Sequence, residues 1–370
     1  MAHGAQEHLK IEEVLEENVD EKLTVTPIAA PPARRRSSVA GCFAIATGVA
    51  LAFSLLLNLL LIGAKAGSGL QEGPSSLHEK TIEGEGDEKV VEIQVEGVIA
   101  EHADAGFLGV SSGESLPKRI KDQLDKAEKD QDVKAVILSV NSPGGTVTAS
   151  DEIWNYLVKF RDSSKKPLVV HQGALAASGG YYISAAADEI VCEPTTITGS
   201  IGVIMEGMNF SKLMTDHGVA DMTIKSGPNK DLGSPFKPIN DDHVKILQGL
   251  VDDMYERFVK VVAEGIAHRT KKSAGADPDA QMLSDVKKLA DGRIYTANQA
   301  LELKLVDKIG YMEDTLAEAK RLANMTKVRL VRYTKQPSLM DVLSGNVETK
   351  LSISLDELRS PRLLMLWRGE

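Results

Sequence analysis

The sequence predicts an α/β domain preceded by one transmembrane helix, and three observations carry that prediction. Apolar, β-favouring runs alternate with amphipathic helical patterns from Val90 onward; a serine stands between small residues where one such run meets an alanine-rich helix; and residues 37–64 form an uncharged stretch of 28 residues.

In chain order, residues 1–38 read as a cytoplasmic tail, rich in Glu, with only a weak apolar period from Leu9 to Val19. The uncharged run that follows is about 42 Å long as a helix, enough to cross a hydrocarbon core of about 30 Å with tilt. Its span is set at 39–64, with Thr47, Ser54 and Asn58 its main polar members. Arg34-Arg35-Arg36 precede it and a mostly acidic stretch, Gly67 to Glu88, follows it. The positive-inside rule then places the N-terminus in the cytoplasm and the folded domain outside, on a single-pass protein of the cell inner (cytoplasmic) membrane. A cleaved signal peptide competes with this reading, but the long preceding tail and the length of the apolar run favour a retained anchor. Val39-Ala-Gly-Cys42 superficially matches a lipoprotein cleavage site, yet the apolar run follows the cysteine instead of preceding it.

Residues 65–88 read as a linker and residues 89–333 as the compact domain. A strand is expected at Val90–Val98, a helix carrying Leu116, Ile120 and Leu124 on one face, then a strand at Ala135–Val140. A helix around Ile153, Leu157 and Phe160 leads to a strand over Pro167–Gly173, followed by the alanine-rich helix from Tyr181 to Ala187. Strands at Glu189–Cys192 and Met222–Lys225 and a long helix from Asp241 to His268 complete the reading. Residues 334–370 are a C-terminal tail whose apolar Leu363–Trp367 suits either a subunit contact or the end of the core.

Composition narrows the function. A net charge of -10 with no basic stripe excludes a nucleic-acid footprint. Cys42 and Cys192 are the only cysteines and the first lies in the apolar run, so no disulfide framework or cysteine metal cluster is available. No metal or other cofactor is called for.

Chemistry concentrates in small-residue loops. Ser178 falls at a strand-to-helix junction, where the unpaired N–H groups of a helix start can stabilise an oxyanion. Asn141-Ser-Pro-Gly-Gly145 follows an apolar strand, and its paired glycines let main-chain N–H groups approach a substrate, although a plain tight turn uses the same residues. Thr198-Gly-Ser-Ile-Gly202 and Lys225-Ser-Gly-Pro-Asn-Lys-Asp231 are further loops. A serine nucleophile needs a base. His217 and His268 end helical patterns, His243 lies in a charged first turn, and His171 sits on the strand before Ser178, so no histidine is compelling.

These four motifs, in this order and spacing, resemble the short, single-domain form of bacterial signal peptide peptidase A, and Asp291-Gly-Arg-Ile-Tyr-Thr296 with Ala300 to Gly310 extends the resemblance over residues 89–333. It implies a crotonase/Clp-protease-like α/β spiral and a Ser/Lys peptidase. By the resemblance Ser178 is the nucleophile, Lys230 the general base, Ser200 the hydroxyl that orients the lysine, and Gly145 with Ser178 the oxyanion N–H donors. Lys225, five residues earlier, is the nearby decoy. The base role demands burial that holds an amine neutral. The resemblance also implies that serine and lysine come from neighbouring subunits of a homo-oligomer, and that the substrates are signal peptides left in the membrane. An inactive membrane-anchored scaffold of the same fold is the alternative; a CoA-dependent lyase accounts for the glycines but for neither Ser178 with Lys230 nor the anchor.

Overall fold

A computed structural model describes residues 46–59, 77–101, 114–270, 278–335 and 362–366. Residues 46–59 form a helix in which every residue is exposed. Among the described residues no helix is long and apolar enough to cross a membrane. The remainder of the expected span, 39–45 and 60–64, lies outside the described residues, as do Cys42 and the N-terminal tail.

The described residues from Leu77 onward are built on a nine-stranded sheet. Its main path runs β1 (Leu77–Gly84), β11 (Arg329–Lys335), β2 (Lys89–Glu96), β3 (Val133–Ser142), β5 (Leu168–Ala177), β6 (Glu189–Cys192) and β10 (Lys308–Ile309). From β11 to β10 neighbouring strands are parallel, and β1 closes one edge antiparallel to β11. Two short strands, β7 (Ile197–Gly199) on β5 and β9 (Ile294–Thr296) on β7, branch from the end of β5.

Parallel strands need crossovers, and the crossover helices cover both faces of the sheet. Along β3, Val136, Leu138 and Val140 belong to one core with Ile120 and Leu124 of α1 (Leu116–Lys129) and with Ile153 and Leu157 of α2 (Val147–Ser164). Ala135 and Ile137 point to the opposite core, which holds Ala319 of α8 (Met312–Leu322). This two-sided burial explains why β3 and β5 are continuous apolar runs instead of alternating ones. Thr146 caps α2 by accepting from the Ala149 N–H, and Asn240 caps α5 (Asp241–Arg269) by accepting from Asp242 and His243.

Two expectations are corrected. The stretch read as a linker already carries β1 from Leu77 onward. Met222–Lys225 is not a strand: Met222 and Ile224 are 88% and 98% exposed, and no neighbouring strand pairs with them. The apolar alternation there reflects an exposed face, not a ladder. It belongs to an exposed arm, residues 207–240, that leads into the exposed first half of α5; burial on α5 begins at Phe258.

Candidate active site

Ser178 links β5 to α3 (Gly179–Ser184) with φ 54° and ψ −116°, in left-handed space that a residue bearing a Cβ rarely enters. It is 1% exposed. The following residues make that bend possible: a Cβ on Gly179 would lie 2.5 Å from Ser150 Oγ, and one on Gly180 2.9 Å from the Ser142 carbonyl oxygen. The short helix is then fastened by its tyrosines. Tyr181 Oη donates to the Leu305 carbonyl at 2.8 Å, and burial pushes its phenol up to about 12. Tyr182 Oη donates to Asp151 at 2.5 Å, and Arg257 donates to the same carboxylate at 3.0 Å. Burial, with the Asp151 hydrogen bond, holds the Tyr182 phenol well above its ordinary value.

The Asn141–Gly145 loop lies directly against this elbow. Ser142 Oγ donates to the Gly97 carbonyl at 2.6 Å and accepts from the Gly144 N–H at 3.0 Å. Gly144, at φ 98°, turns the chain into β4 (Gly144–Thr146), where Gly145 bridges Ile99. The point a Gly144 Cβ would occupy is 2.6 Å from the Gly179 nitrogen, and that of Gly179 is 3.0 Å from the Gly145 nitrogen. The Gly145 and Gly179 backbones therefore lie against each other beside Ser178.

Here one expected role is corrected. The Ser178 N–H donates to the Gly199 carbonyl at 2.8 Å, so it is committed to the sheet and not to an oxyanion. The Gly179 N–H, by contrast, is available, since the first N–H groups of a helix have no intrahelical acceptor. The signal for Gly179 was its position immediately after the serine, the usual source of an oxyanion amide at a nucleophile elbow.

Ser200 is held equivalently on the next strand. Ala177 pairs with Gly199, so Ser178 and Ser200 each follow a paired residue on adjacent strands. Ser200 has φ 49°, is 7% exposed, and donates its N–H to the Arg293 carbonyl at 2.8 Å. Neither serine hydroxyl has a hydrogen-bond partner among the described residues.

Lys230 is elsewhere. It is exposed on the arm, and among the described residues its side chain forms no hydrogen bond or ion pair, with Ser178, Ser200 or any other group. Lys225, the decoy, is tied down: its Nζ donates to Asp231 at 2.6 Å and to the Pro228 carbonyl at 2.7 Å. Lys237 pairs with the same carboxylate at 2.9 Å. Hydrogen bonds from Lys225 and Lys237 hold Asp231 well below the usual carboxylate range. Lys225 is thus engaged by Asp231 and Pro228, whereas Lys230 has no partner among the described residues. A cavity of about 580 Å³ opens on this arm among Met208, Pro228, Ile239 and Leu247, and Ser178 is not part of it.

The histidines have other occupations. His268 meets Asp188 at 2.7 Å, and His217 is exposed. His171 is buried, with Nδ1 3.0 Å from Thr315 Oγ1 and Nε2 3.4 Å from Glu193. Burial lowers its basicity below the ordinary 6.5, against the opposing pull of Glu193, Glu92 and Glu313. In the unfolded chain the imidazole takes up a proton as pH falls through 6.5, while the folded one stays neutral to lower pH. Acidification below that point should therefore destabilise the fold, by at most about 1.4 kcal/mol per pH unit from this group. Urea midpoints measured from about pH 7.5 down to 5.5 should fall more steeply for wild type than for His171→Gln; equal slopes would remove His171 as the cause.

Known proteins match over the folded domain. The profile of peptidase family S49 matches residues 160–326, and that of Clp protease matches residues 100–196. A putative signal peptide peptidase SppA of Enterococcus faecium is 40% identical over 262 residues, covering 70% of this chain and 72% of that protein. A putative protease of Synechocystis sp. is 38% identical over 235 residues, covering 63% of this chain and 79% of the other. Among solved structures, a ClpP1 mutant from Listeria monocytogenes aligns with a TM-score of 0.37 at 18% identity, over 61% of this chain and 94% of that one. The mixed α/β sheet is of the Clp-protease type, and the chain belongs to peptidase family S49 as a serine peptidase of the signal peptide peptidase A kind.

Proposed function

We propose that the protein is a membrane-anchored serine endopeptidase in which Ser178 attacks, Lys230 of a neighbouring copy is the general base, and Ser200 orients that lysine. The observation that carries the reading is the strained Ser178 elbow packed against the Gly144–Gly145 backbone, with Gly145 and Gly179 as the proposed oxyanion donors. Neutral Lys230 takes the Ser178 proton, the alkoxide attacks a peptide carbonyl, and the two amides hold the oxyanion. The lysine returns the proton to the leaving amine, and water releases the acyl-enzyme.

A shared site is supported by the separation of roles within one chain. Ser178 and Ser200 are buried on the sheet, whereas Lys230 rides on an arm whose apolar residues Met222, Ile224 and Ile239 are 88%, 98% and 73% exposed. A homo-oligomer that covers the arm would also remove water from the lysine, as its role demands. The anchor is supported by the 28-residue uncharged run and by the all-round exposure of its helical part, 46–59. With the N-terminus cytoplasmic and the active site outside, the substrates are apolar peptides near the bilayer, signal peptides among them.

Arginine substitution tests the base. Arginine keeps the charge but cannot give up its proton near neutral pH. Lys230→Arg should therefore lose hydrolysis of an apolar fluorogenic peptide by about 10⁴-fold, whereas Lys225→Arg, which can still pair with Asp231, should stay within about tenfold of wild type. The reverse pattern would make Lys225 the base. A folded, oligomeric wild type that cleaves nothing would favour the inactive scaffold.

A further inference from the structure

Strand pairing holds the two halves of the candidate active site together only part of the way. β3 and β5 last pair at Ser142 and Ala176. Beyond Ser142 the loop leaves the main sheet, since β4 pairs with β12 (Arg362–Leu366), which in turn pairs with β8 (Ile204–Glu206). No strand pairing among the described residues links Gly145 to Ser178. Each half instead runs straight into a helix. Gly144–Thr146 leads into α2, where Ser150 Oγ donates to the Thr146 carbonyl at 2.8 Å. Ser178 leads into α3, where the Tyr182 N–H donates to the Ser178 carbonyl at 2.8 Å.

About one turn into these helices, a single carboxylate oxygen ties them together. Tyr182 Oη donates to Asp151 Oδ1 at 2.5 Å, and Arg257 of α5 donates to the same atom through Nε at 3.1 Å and Nη2 at 3.0 Å. Aromatic rings frame the three groups. The Arg257 guanidinium lies 4.7 Å over the Trp154 ring, Trp154 meets the Tyr182 ring edge-on at 6.3 Å, and Phe258 packs on Tyr182 at 4.9 Å. Burial holds the Tyr182 phenol protonated, so Oη stays a donor. Arg257 also brings in the third part of the site: it stands where burial on α5 begins, and α5 is the helix into which the Lys230 arm leads.

The side chains of Arg257 and Asp151 are 36% and 41% exposed. A pair so open to water adds little to stability. Geometry at a reacting centre is far more sensitive, since a displacement of about 1 Å costs about 10²-fold in rate. Resting on the peptidase reading above, we infer that Asp151 is a positioning residue for catalysis: through Tyr182 it fixes the Ser178 elbow against the Gly145 loop, and through Arg257 it fixes both against the helix that carries the base-bearing arm. Asp151 acts through these two partners and not on the substrate.

The test uses the full-length chain in detergent micelles. It measures kcat and KM for an apolar fluorogenic peptide and the rate of Ser178 labelling by a fluorophosphonate, with urea unfolding to verify that each variant is folded. Asp151→Ala should lower kcat about 10²-fold and slow labelling in proportion, with KM within about twofold of wild type. Tyr182→Phe keeps the packed ring and deletes only Oη, and should lower kcat about tenfold. Asp151→Asn should come back to within about fivefold of wild type, because its amide oxygen still accepts from Tyr182. These two conservative variants decide the matter if Asp151→Ala does not fold. The double variant Asp151→Ala, Tyr182→Phe should be no slower than Asp151→Ala alone, since both changes remove one tie. Folded variants that keep kcat within about twofold of wild type, that raise KM instead, or whose losses multiply in the double variant would overturn the inference and leave the peptidase reading standing. Wild type that neither hydrolyses the peptide nor takes the probe would sink the peptidase reading and this inference with it.

Discussion

Ser178→Ala and Lys230→Ala should each abolish peptide hydrolysis, by at least about 10⁴-fold, yet an equal mixture of the two inactive chains should recover activity once subunits exchange. Loss in the single variants follows from their roles, since neither nucleophile nor base has a substitute nearby. His171 is engaged with Thr315 and Glu193, and Lys225 with Asp231. Recovery follows from where the structure leaves the two groups. Ser178 is sunk at the end of β5, while Lys230 stands exposed on an arm and meets neither Ser178 nor Ser200 within its own chain. In a mixture, a Lys230→Ala copy still offers its serine and a Ser178→Ala copy its lysine. If each site draws its lysine from one neighbour in a ring of like contacts, about a quarter of the sites become complete at random. The measurement is steady-state hydrolysis after co-dissociation and reassembly, with exchange verified by differently tagged chains. Exchange without recovery would put both groups on one chain, or make another residue the base.

The elements legible in the sequence were those that bury two faces or carry a clear apolar stripe. β3, β5 and β6 are continuous apolar runs because helices cover both sides of the sheet, and α1 carries Ile120 and Leu124 on one stripe. The strand-to-helix junction at Ser178 was legible because alanines and glycines flank it at a change of period. Three-residue strands were not: β4, β7 and β9 are too short to show any period, and their partners lie far away in sequence. β1 escaped because seven of its eight residues are exposed, so its polar LHEKTIEG composition looks like a linker although its backbone pairs with β11. Met222–Lys225 erred in the other direction, with β-favouring side chains but nothing beside it to pair with. Leu363–Trp367 was recognised as apolar without a destination, because nothing local in it announces a partner as remote as β4. The proposed oxyanion amides fell between: Gly145 came from its loop, while the choice between the Ser178 and Gly179 N–H groups turned on a single strand bond to Gly199.

Gly145→Ala should be the most damaging glycine-to-alanine change among the described residues. Its Cβ would fall 1.8 Å from the Ile99 carbonyl oxygen and 2.6 Å from both the Ile99 carbon and nitrogen, all backbone atoms of a residue that is 0% exposed. No side chain can rotate to relieve that contact. Ile99 is pinned from both sides, donating its N–H to the Gly144 carbonyl at 2.9 Å and accepting from the Thr146 N–H at 2.8 Å, so relief requires opening this bridge. Overpacking of this kind costs about 1–3 kcal/mol of stability or more. Opening the bridge also swings the Gly145 amide away from Gly179, and losing one oxyanion donor lowers kcat by about 10²–10³. Gly173→Ala is the matched control on β5, five residues before Ser178. Its Cβ would meet nothing closer than the Val140 carbonyl oxygen at 3.6 Å, so stability should change by no more than about 0.5 kcal/mol and kcat should hold. Urea unfolding and kcat measured on both variants decide the matter. A Gly145→Ala chain that unfolds like wild type and keeps more than half its kcat would show that this amide does not hold the oxyanion, and Gly179 would have to act with a different partner.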